Sequence, residues 1–179
     1  MERFNYLFEN NPLPMWLYDT STLKFLKVNS TACAVYGYTK DEFLGMTLKD
    51  IRPESEWDKL EKDVRETTDI FNPGSRWIHR KRNGEIINVD ISSYKVEFED
   101  LDVRLVVVKD ISEQVNIEKK LIESEGRFRE LFENSSSMFL IIDPETGKIE
   151  NVNKAAELFY GWNKEHFIQM YIWQLNQYS

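Results

Sequence analysis

Arg3-Phe4-Asn5-Tyr6-Leu7-Phe8-Glu9-Asn10 returns 124 residues later as Arg127-Phe128-Arg129-Glu130-Leu131-Phe132-Glu133-Asn134. Without a gap, the same offset carries Asp19 onto Asp143, Val28-Asn29 onto Val152-Asn153, Tyr36-Gly37 onto Tyr160-Gly161, Phe43 onto Phe167 and Met46 onto Met170. Over residues 3–51 there are 17 identities in 49 positions. An offset held constant through helix, strand and turn signals marks an internal repeat, not two amphipathic helices that happen to look alike. The first copy closes near Asp110, the second opens near Gly126, and Ser179 corresponds to residue 55 of the first. The expected organisation is a complete unit at 1–111, a helical linker at 112–125, and the N-terminal half of a second unit at 126–179.

Within the complete copy, Phe4, Leu7 and Phe8 stand at i, i+3 and i+4, the stripe of a short amphipathic helix that Asn10-Asn11-Pro12 ends. Met15 to Tyr18 and Lys24 to Val28 read as two short strands around an Asp19-Thr20-Ser21-Thr22 turn. Asn29 can cap a helix that Gly37 closes, and Thr39-Lys40-Asp41-Glu42 has the capping-box spacing for another. Pro53 suits the first turn of a longer helix reaching about Thr67, with Trp57, Leu60 and Val64 on one face. After Asn72-Pro73-Gly74 the period changes from helical to alternating. Residues 75–82 and 85–98 read as strands joined through Asn83-Gly84, a dipeptide suited to a type I′ turn. A third strand, 103–109, is apolar on both faces at Leu105-Val106-Val107-Val108 and so belongs in the middle of a sheet or under cover on both sides. This order predicts an α+β fold: a five-stranded antiparallel sheet with short helices on one face.

Hydrophobic residues make up 41% of the chain, enough for a packed core, and the net charge of −8 repels nucleic acid and anionic lipid. Residues 1–110 carry 16 basic and 20 acidic groups and 111–179 carry 7 and 11, so each portion stands at −4 and neither is a charged arm. The one cysteine, Cys33, excludes an internal disulfide, and His79 and His166, the two histidines, provide no zinc-ligand spacing. No signal peptide or membrane-length apolar run is present, so a cytoplasmic protein with no direct membrane insertion is expected.

Several segments together resemble a bacterial PAS sensory domain. They are Pro14-Met15-Trp16-Leu17-Tyr18-Asp19, the Val28-Asn29 step into a helix, Tyr36-Gly37-Tyr38-Thr39 with Glu42-Phe43, and Met46-Thr47-Leu48-Lys49-Asp50-Ile51-Arg52-Pro53. Trp77 with His79-Arg80-Lys81 and Asn83-Gly84, and the closing Asp110-Ile111-Ser112-Glu113, complete the pattern. The resemblance covers nearly all of residues 1–113, and the opening half of a second such domain covers 126–179. It implies an input module of a sensor histidine kinase or, less commonly, of a diguanylate cyclase, with the output domain in cis outside these residues.

The family resemblance also disfavours two cofactors. A haem-binding PAS domain needs a histidine on the long helix before the three strands, and residues 53–74 have none; a LOV-type flavin domain needs a cysteine where Gly45 to Pro53 has none. No cofactor or metal is expected, and a non-covalent small ligand remains the candidate. Its pocket, in the place the resemblance suggests, would be lined by Trp16, Cys33, Tyr36, Phe43, Trp57, Trp77, Ile91 and Val107, although ordinary core packing competes for the same residues. His79, among Arg76, Arg80, Lys81 and Arg82, reads most simply as part of a solvated basic hairpin tip.

Catalysis is not expected in these residues. Gly-rich phosphate loops, Gly-x-Ser-x-Gly and His-Glu-x-x-His are all missing, and carboxylate pairs such as Glu54 and Asp58 sit in charge-rich stretches. The signal-relay candidates are Asp110, Ile111, Ser112 and Glu113, where Asp as N-cap and Glu at N3 would start a helix directly after the last strand. Ile117, Leu121, Ser124, Phe128 and Leu131 then follow at heptad spacing, interrupted at Gly126. A homodimer through the N-terminal and linker helices is the expected assembly, and a ligand-free dimerisation spacer is the alternative function.

Overall fold

A computed structural model of the chain describes residues 2–98 and 101–175. It divides into two compact units, Met1–Asn116 and Ile117–Ser179.

The first unit opens with α1 (Glu2–Glu9), then the hairpin β1 (Met15–Asp19) and β2 (Phe25–Val28), and the short helices α2 (Ser30–Tyr36) and α3 (Lys40–Leu44). A 3₁₀ turn at Glu54–Glu56 leads into α4 (Trp57–Glu66), and three long strands follow: β3 (Phe71–Arg80), β4 (Ile86–Phe98) and β5 (Leu101–Asp110). The strands form one antiparallel sheet in the order β2-β1-β5-β4-β3, so β5, apolar on both faces, is central. Along β4, Ile87, Val89 and Ile91 are buried and alternate with half-buried Asn88, Asp90 and Ser92. The main core lies between this face of the sheet and α2 to α4, with Trp16, Tyr36, Phe43, Ile51, Val89 and Val108 almost wholly enclosed.

Local sequence chemistry sets the joints. The Asn29 carboxamide Oδ1 accepts from the backbone N–H groups of Met15 at 3.0 Å and Ala32 at 2.9 Å. Its Nδ2 donates to the carbonyls of Phe8 at 3.1 Å and Leu13 at 2.9 Å. One buried side chain thereby ties α1, the segment before β1, β1 itself and the start of α2. Gly37 ends α2 at φ +80°, where a side chain would be strained. Thr39 and Glu42 form the expected reciprocal capping box at α3.

Two turns differ from the sequence expectation. Asn72-Pro73-Gly74 does not separate a helix from a strand: β3 begins at Phe71, and the tripeptide is a bulge between the Asn72–Ser93 and Ser75–Ile91 pairs. Proline has no N–H for the ladder and Gly74 adopts φ +116°, and β3 is an edge strand, where such an irregularity is tolerated. At the next turn only Gly84 has positive φ, and the Lys81 N–H donates to the Glu85 carbonyl at 2.9 Å. The loop is therefore a type I turn closed by a left-handed glycine, not the two-residue type I′ turn.

Residues 112–134 form one continuous helix, α5 (Ser112–Asn134), and Gly126 does not break it. The second unit continues with β6 (Leu140–Ile142), β7 (Ile149–Val152), α6 (Lys154–Tyr160), α7 (Lys164–Phe167) and α8 (Ile172–Leu175). The Asn29 joint and the Gly37 helix end of the first unit recur at +124, with Gly161 closing α6 at φ +73°, whereas the capping box does not, since Asn163 caps α7 and His166 stands where Glu42 would. Asn153 accepts from Phe139 and Ala156 and donates to Phe132 and Ser137, at 2.8–3.1 Å. The isolated bridge Lys24–Thr47 recurs as Lys148–Tyr171. Its small core gathers Ile149, Val152, Ala156, Phe167, Met170 and Leu175, while Phe159 and Trp173 stay exposed.

Asn29→Ala should destabilise the first unit by roughly 3 kcal/mol, because it removes a helix cap and leaves buried backbone groups without partners. Urea unfolding of the variant checks this.

Candidate functional site

The interior of the first unit is built on an aromatic cluster. Trp16 on β1 meets Phe25 and Tyr36 edge-on, at 5.5 and 5.7 Å between ring centres, and Phe43 meets Phe25 at 5.1 Å. Strand alternation places Trp77 and His79 on the same buried face of β3 while Arg76, Arg80 and Arg82 are exposed. His79 is thus not part of a solvated tip. Its Nδ1 lies 2.6 Å from the Tyr36 hydroxyl, and burial, reinforced by nearby Arg52, holds its pKa well below the usual histidine value. Burial likewise pushes the Tyr36 phenol above its ordinary range. A neutral imidazole accepting at Nδ1 from a neutral phenol pairs these two groups.

Beside this cluster is a small cavity of about 30 Å³ between the sheet and α4. Of the eight pocket candidates, Trp16, Trp77 and Ile91 line it, joined by Arg52, Asp63 and Val106. Tyr36 and Phe43 are buried in the adjoining aromatic cluster and are not in its wall. Cys33 is half-buried on α2, packs against the core, and has its thiol pKa raised by burial. Trp57 is half-buried outside the cavity, its indole N–H donating to the Lys49 carbonyl at 3.2 Å. Val107 is directed to the opposite face of β5, since alternation gives the helix side to Val106 and Val108.

Arg52 is the residue that hydropathy could not single out. It is only 3% exposed. Its Nη1 donates to the Leu48 carbonyl at 2.6 Å, and the guanidinium carbon is 5.3 Å from the centre of the Trp77 ring. Burial lowers its pKa to about 10, so it is a cation at neutral pH. Lys59 stands 4.1 Å from the same ring, so two cations draw on the indole π-face.

The second candidate region is the strand-to-helix junction. The expected Asp110–Glu113 cap is not formed, because Ile111, whose carbonyl accepts from the Val115 N–H, is the N-cap of α5. The Asp110 carboxylate instead accepts from the Ser112 N–H at 2.8 Å in a turn before it, and Glu113 stands in the first turn. Ile111 is buried and its N–H donates to the Asn88 carbonyl at 2.9 Å; the Ser112 hydroxyl accepts from the Asn88 N–H at 2.9 Å. The helix therefore leaves β5 with its first residues fastened to β4.

Family models described as the PAS domain match residues 12–113 and again residues 126–178. The chain belongs to the PAS domain family. A curated relative, sporulation kinase E of Bacillus subtilis (strain 168), is 24% identical over 170 residues, which are 94% of this chain and 22% of that kinase. This PAS chain thus spans about a fifth of the relative's length. Among solved structures, the PAS domain of an HTR-like protein from Haloarcula marismortui aligns with TM-score 0.56 at 22% identity, over 62% of this chain and 90% of that one. A PAS domain from a two-component sensor histidine kinase aligns with TM-score 0.53 at 22% identity, over 61% and 94%. Among the described residues of this PAS chain no helix is long and apolar enough to cross a membrane.

The neutral state of His79 makes stability depend on pH. Its folded pKa is depressed, so the unfolded chain binds the extra proton and stability rises with pH across the histidine range. Between about pH 6.5 and 5 the loss on acidification should approach 1.4 kcal/mol per pH unit. Burial raises the Asp63 carboxyl, which works in the opposite sense, so the slope of His79→Gln is the reference. Urea unfolding at stepped pH should give a flatter profile for the variant than for the native chain.

Proposed function

We propose that this chain is a non-catalytic, cytoplasmic sensory module that detects a small molecule in the cavity of the first PAS unit. It passes the signal through α5 to an output domain in cis, most simply that of a two-component histidine kinase. The observation that carries this reading is the continuity of β5: Val106 lines the cavity, and four residues later the strand runs into a helix fastened at Asp110, Ser112 and Asn88. The kinase relative, of which this chain spans only part, supports the assignment of output. A diguanylate cyclase would be served by the same junction.

A second reading, a dimerisation module, is favoured by the heptad stripe. Ile117, Leu121, Phe128 and Leu131 are all more than half exposed on α5, and Phe4 and Leu7 are exposed on α1. A second copy of the chain burying these residues fits both readings, since a dimeric helix pair is a natural carrier of a rotation or register change. Leu121→Glu should then shift the chain towards monomer in sedimentation equilibrium, and an unchanged mass would refute a dimer built on this stripe.

Denaturing mass spectrometry of small molecules extracted from the purified chain should find a stoichiometric ligand; an empty, stable chain favours the spacer. Asp110→Ala should cost about 0.5–1.5 kcal/mol through the lost hydrogen bond to the Ser112 N–H and uncouple output in the full-length protein. Unchanged autophosphorylation in that variant would defeat the relay.

A further inference from the structure

Three side-chain nitrogens are buried with no hydrogen-bond partner among the described residues: Trp16 Nε1, Arg52 Nε and His79 Nε2. Native interiors rarely leave such groups unmatched, and each one needs a reason. The indole and guanidinium nitrogens are donors by chemistry. His79 Nδ1 accepts from Tyr36 in the arrangement that uses the phenol proton, which leaves the remaining imidazole proton on Nε2. All three unmatched groups are then donors, and Trp16 and Arg52 line the same cavity.

The charge count points the same way. Two buried guanidinium groups, Arg52 and Arg104, influence one half-buried carboxylate, Asp63, and Arg104 is the stronger of the two on it. Arg104 is further held by the Ser93 hydroxyl at 3.0 Å and the Asp69 carbonyl at 3.1 Å. No carboxylate among the described residues reaches ion-pairing distance of Arg52. Glu56, which also acts on it, pairs with Lys59 at 3.5 Å. Arg52 is left with the neutral Leu48 carbonyl and the Trp77 ring. A buried cation without a counter-charge is costly, and water in the cavity would supply acceptors but not charge.

Size narrows the occupant. A cavity of about 30 Å³ holds roughly two waters, far below the hundreds of Å³ of a site for a drug-sized ligand. A planar carboxylate matches the guanidinium fork, and the apolar wall of Leu48, Leu60, Val64 and Ile91 suits a hydrogen or a methyl group at its other end. Asp63 weighs against a dianion. We propose that this cavity is a binding site for a small monocarboxylate of formate to acetate size, with Arg52 as the cationic anchor and the Trp16 indole N–H as a second donor. This rests on the reading of the first unit as a ligand sensor and names the ligand class.

The test is a titration of the ¹⁵N-labelled 179-residue chain with sodium formate or sodium acetate, following the Trp16 Nε1–H and Arg52 Nε–H resonances. Sodium chloride at equal ionic strength and acetamide, the neutral shape-mimic of acetate, are the comparisons. Saturable shifts of both resonances are expected with formate or acetate, at least tenfold weaker binding of acetamide, and no saturation with chloride. Arg52→Gln should weaken acetate binding at least tenfold. Trp16→Phe, which keeps a ring and removes the N–H, should weaken it several-fold and serves where Arg52→Gln does not fold. Acetamide binding as tightly as acetate, chloride saturating the same resonances, or an Arg52→Gln variant binding like the native chain would overturn the carboxylate assignment while leaving ligand sensing in place. No saturable shift with either carboxylate also overturns it; ligand sensing itself then stands or falls on the extraction experiment.

Discussion

The first unit hangs on Asn29. A primary amide has two acceptor sites and two donor hydrogens, and here both acceptors take backbone N–H groups and both hydrogens go to backbone carbonyls. These four backbone groups lie in stretches that no sheet or helix ladder can serve: the exit of α1, the approach to β1 and the first turn of α2. A hydrophobic residue of equal size would leave them buried and unmatched, and a charged one would bring a desolvation penalty of its own. That Asn153 makes the same four contacts, each displaced by 124 residues, shows the joint to be a property of the repeat and not of one copy.

With α1 and the first hairpin fixed, the aromatic cluster follows as a consequence of geometry. Trp16 on the hairpin gathers rings from three later elements: Tyr36 from α2, Phe25 from β2, and His79 from β3 at 6.1 Å. This apolar surround is what keeps His79 neutral, and Arg52 beside it is a buried cation with no carboxylate at ion-pairing distance among the described residues. The unit's unusual electrostatics are therefore products of packing. The polar residues stand where the backbone carries them, and the low-dielectric interior sets their protonation.

Much of this was legible in the residues. Capping residues and turn glycines act locally, so the repeat carries the joints; Leu105-Val106-Val107-Val108, apolar on both faces, fits a central strand or one covered on both sides, and β5 is central. What escaped shares one cause, that neighbours in sequence are not neighbours in space. Surrounded by Arg76, Arg80, Lys81 and Arg82, His79 looked solvated, yet its parity with Trp77 two residues away was the better signal. The same parity separates Val107 from Val106. Pro73-Gly74 looked like a terminator because nothing local reveals that β3 is an edge strand able to carry a bulge. Arg52 had no signal at all: its burial comes from the chain folding Leu48 to Pro53 under Trp77, a long-range contact that charge and hydropathy argue against.

The junction at Asp110 constrains what any relay can be. Because Ile111 and Ser112 both bond to Asn88, the start of α5 cannot slide along β5 without breaking contacts to β4. A shift of Val106 by an occupant of the cavity would reach α5 chiefly as a change of twist or tilt of the β4–β5 pair, which turns the helix base as one body. Val106 and Asn88 are on adjacent strands, joined by the β4–β5 ladder, which is stiff along the strands and soft in twist. Sheet twist varies continuously, whereas a switch needs two discrete states that a ligand can bias. In the relay proposed above, the two states would have to come from the exposed apolar stripe of α5 packing against a second copy, because the strand ladder offers only a continuous change.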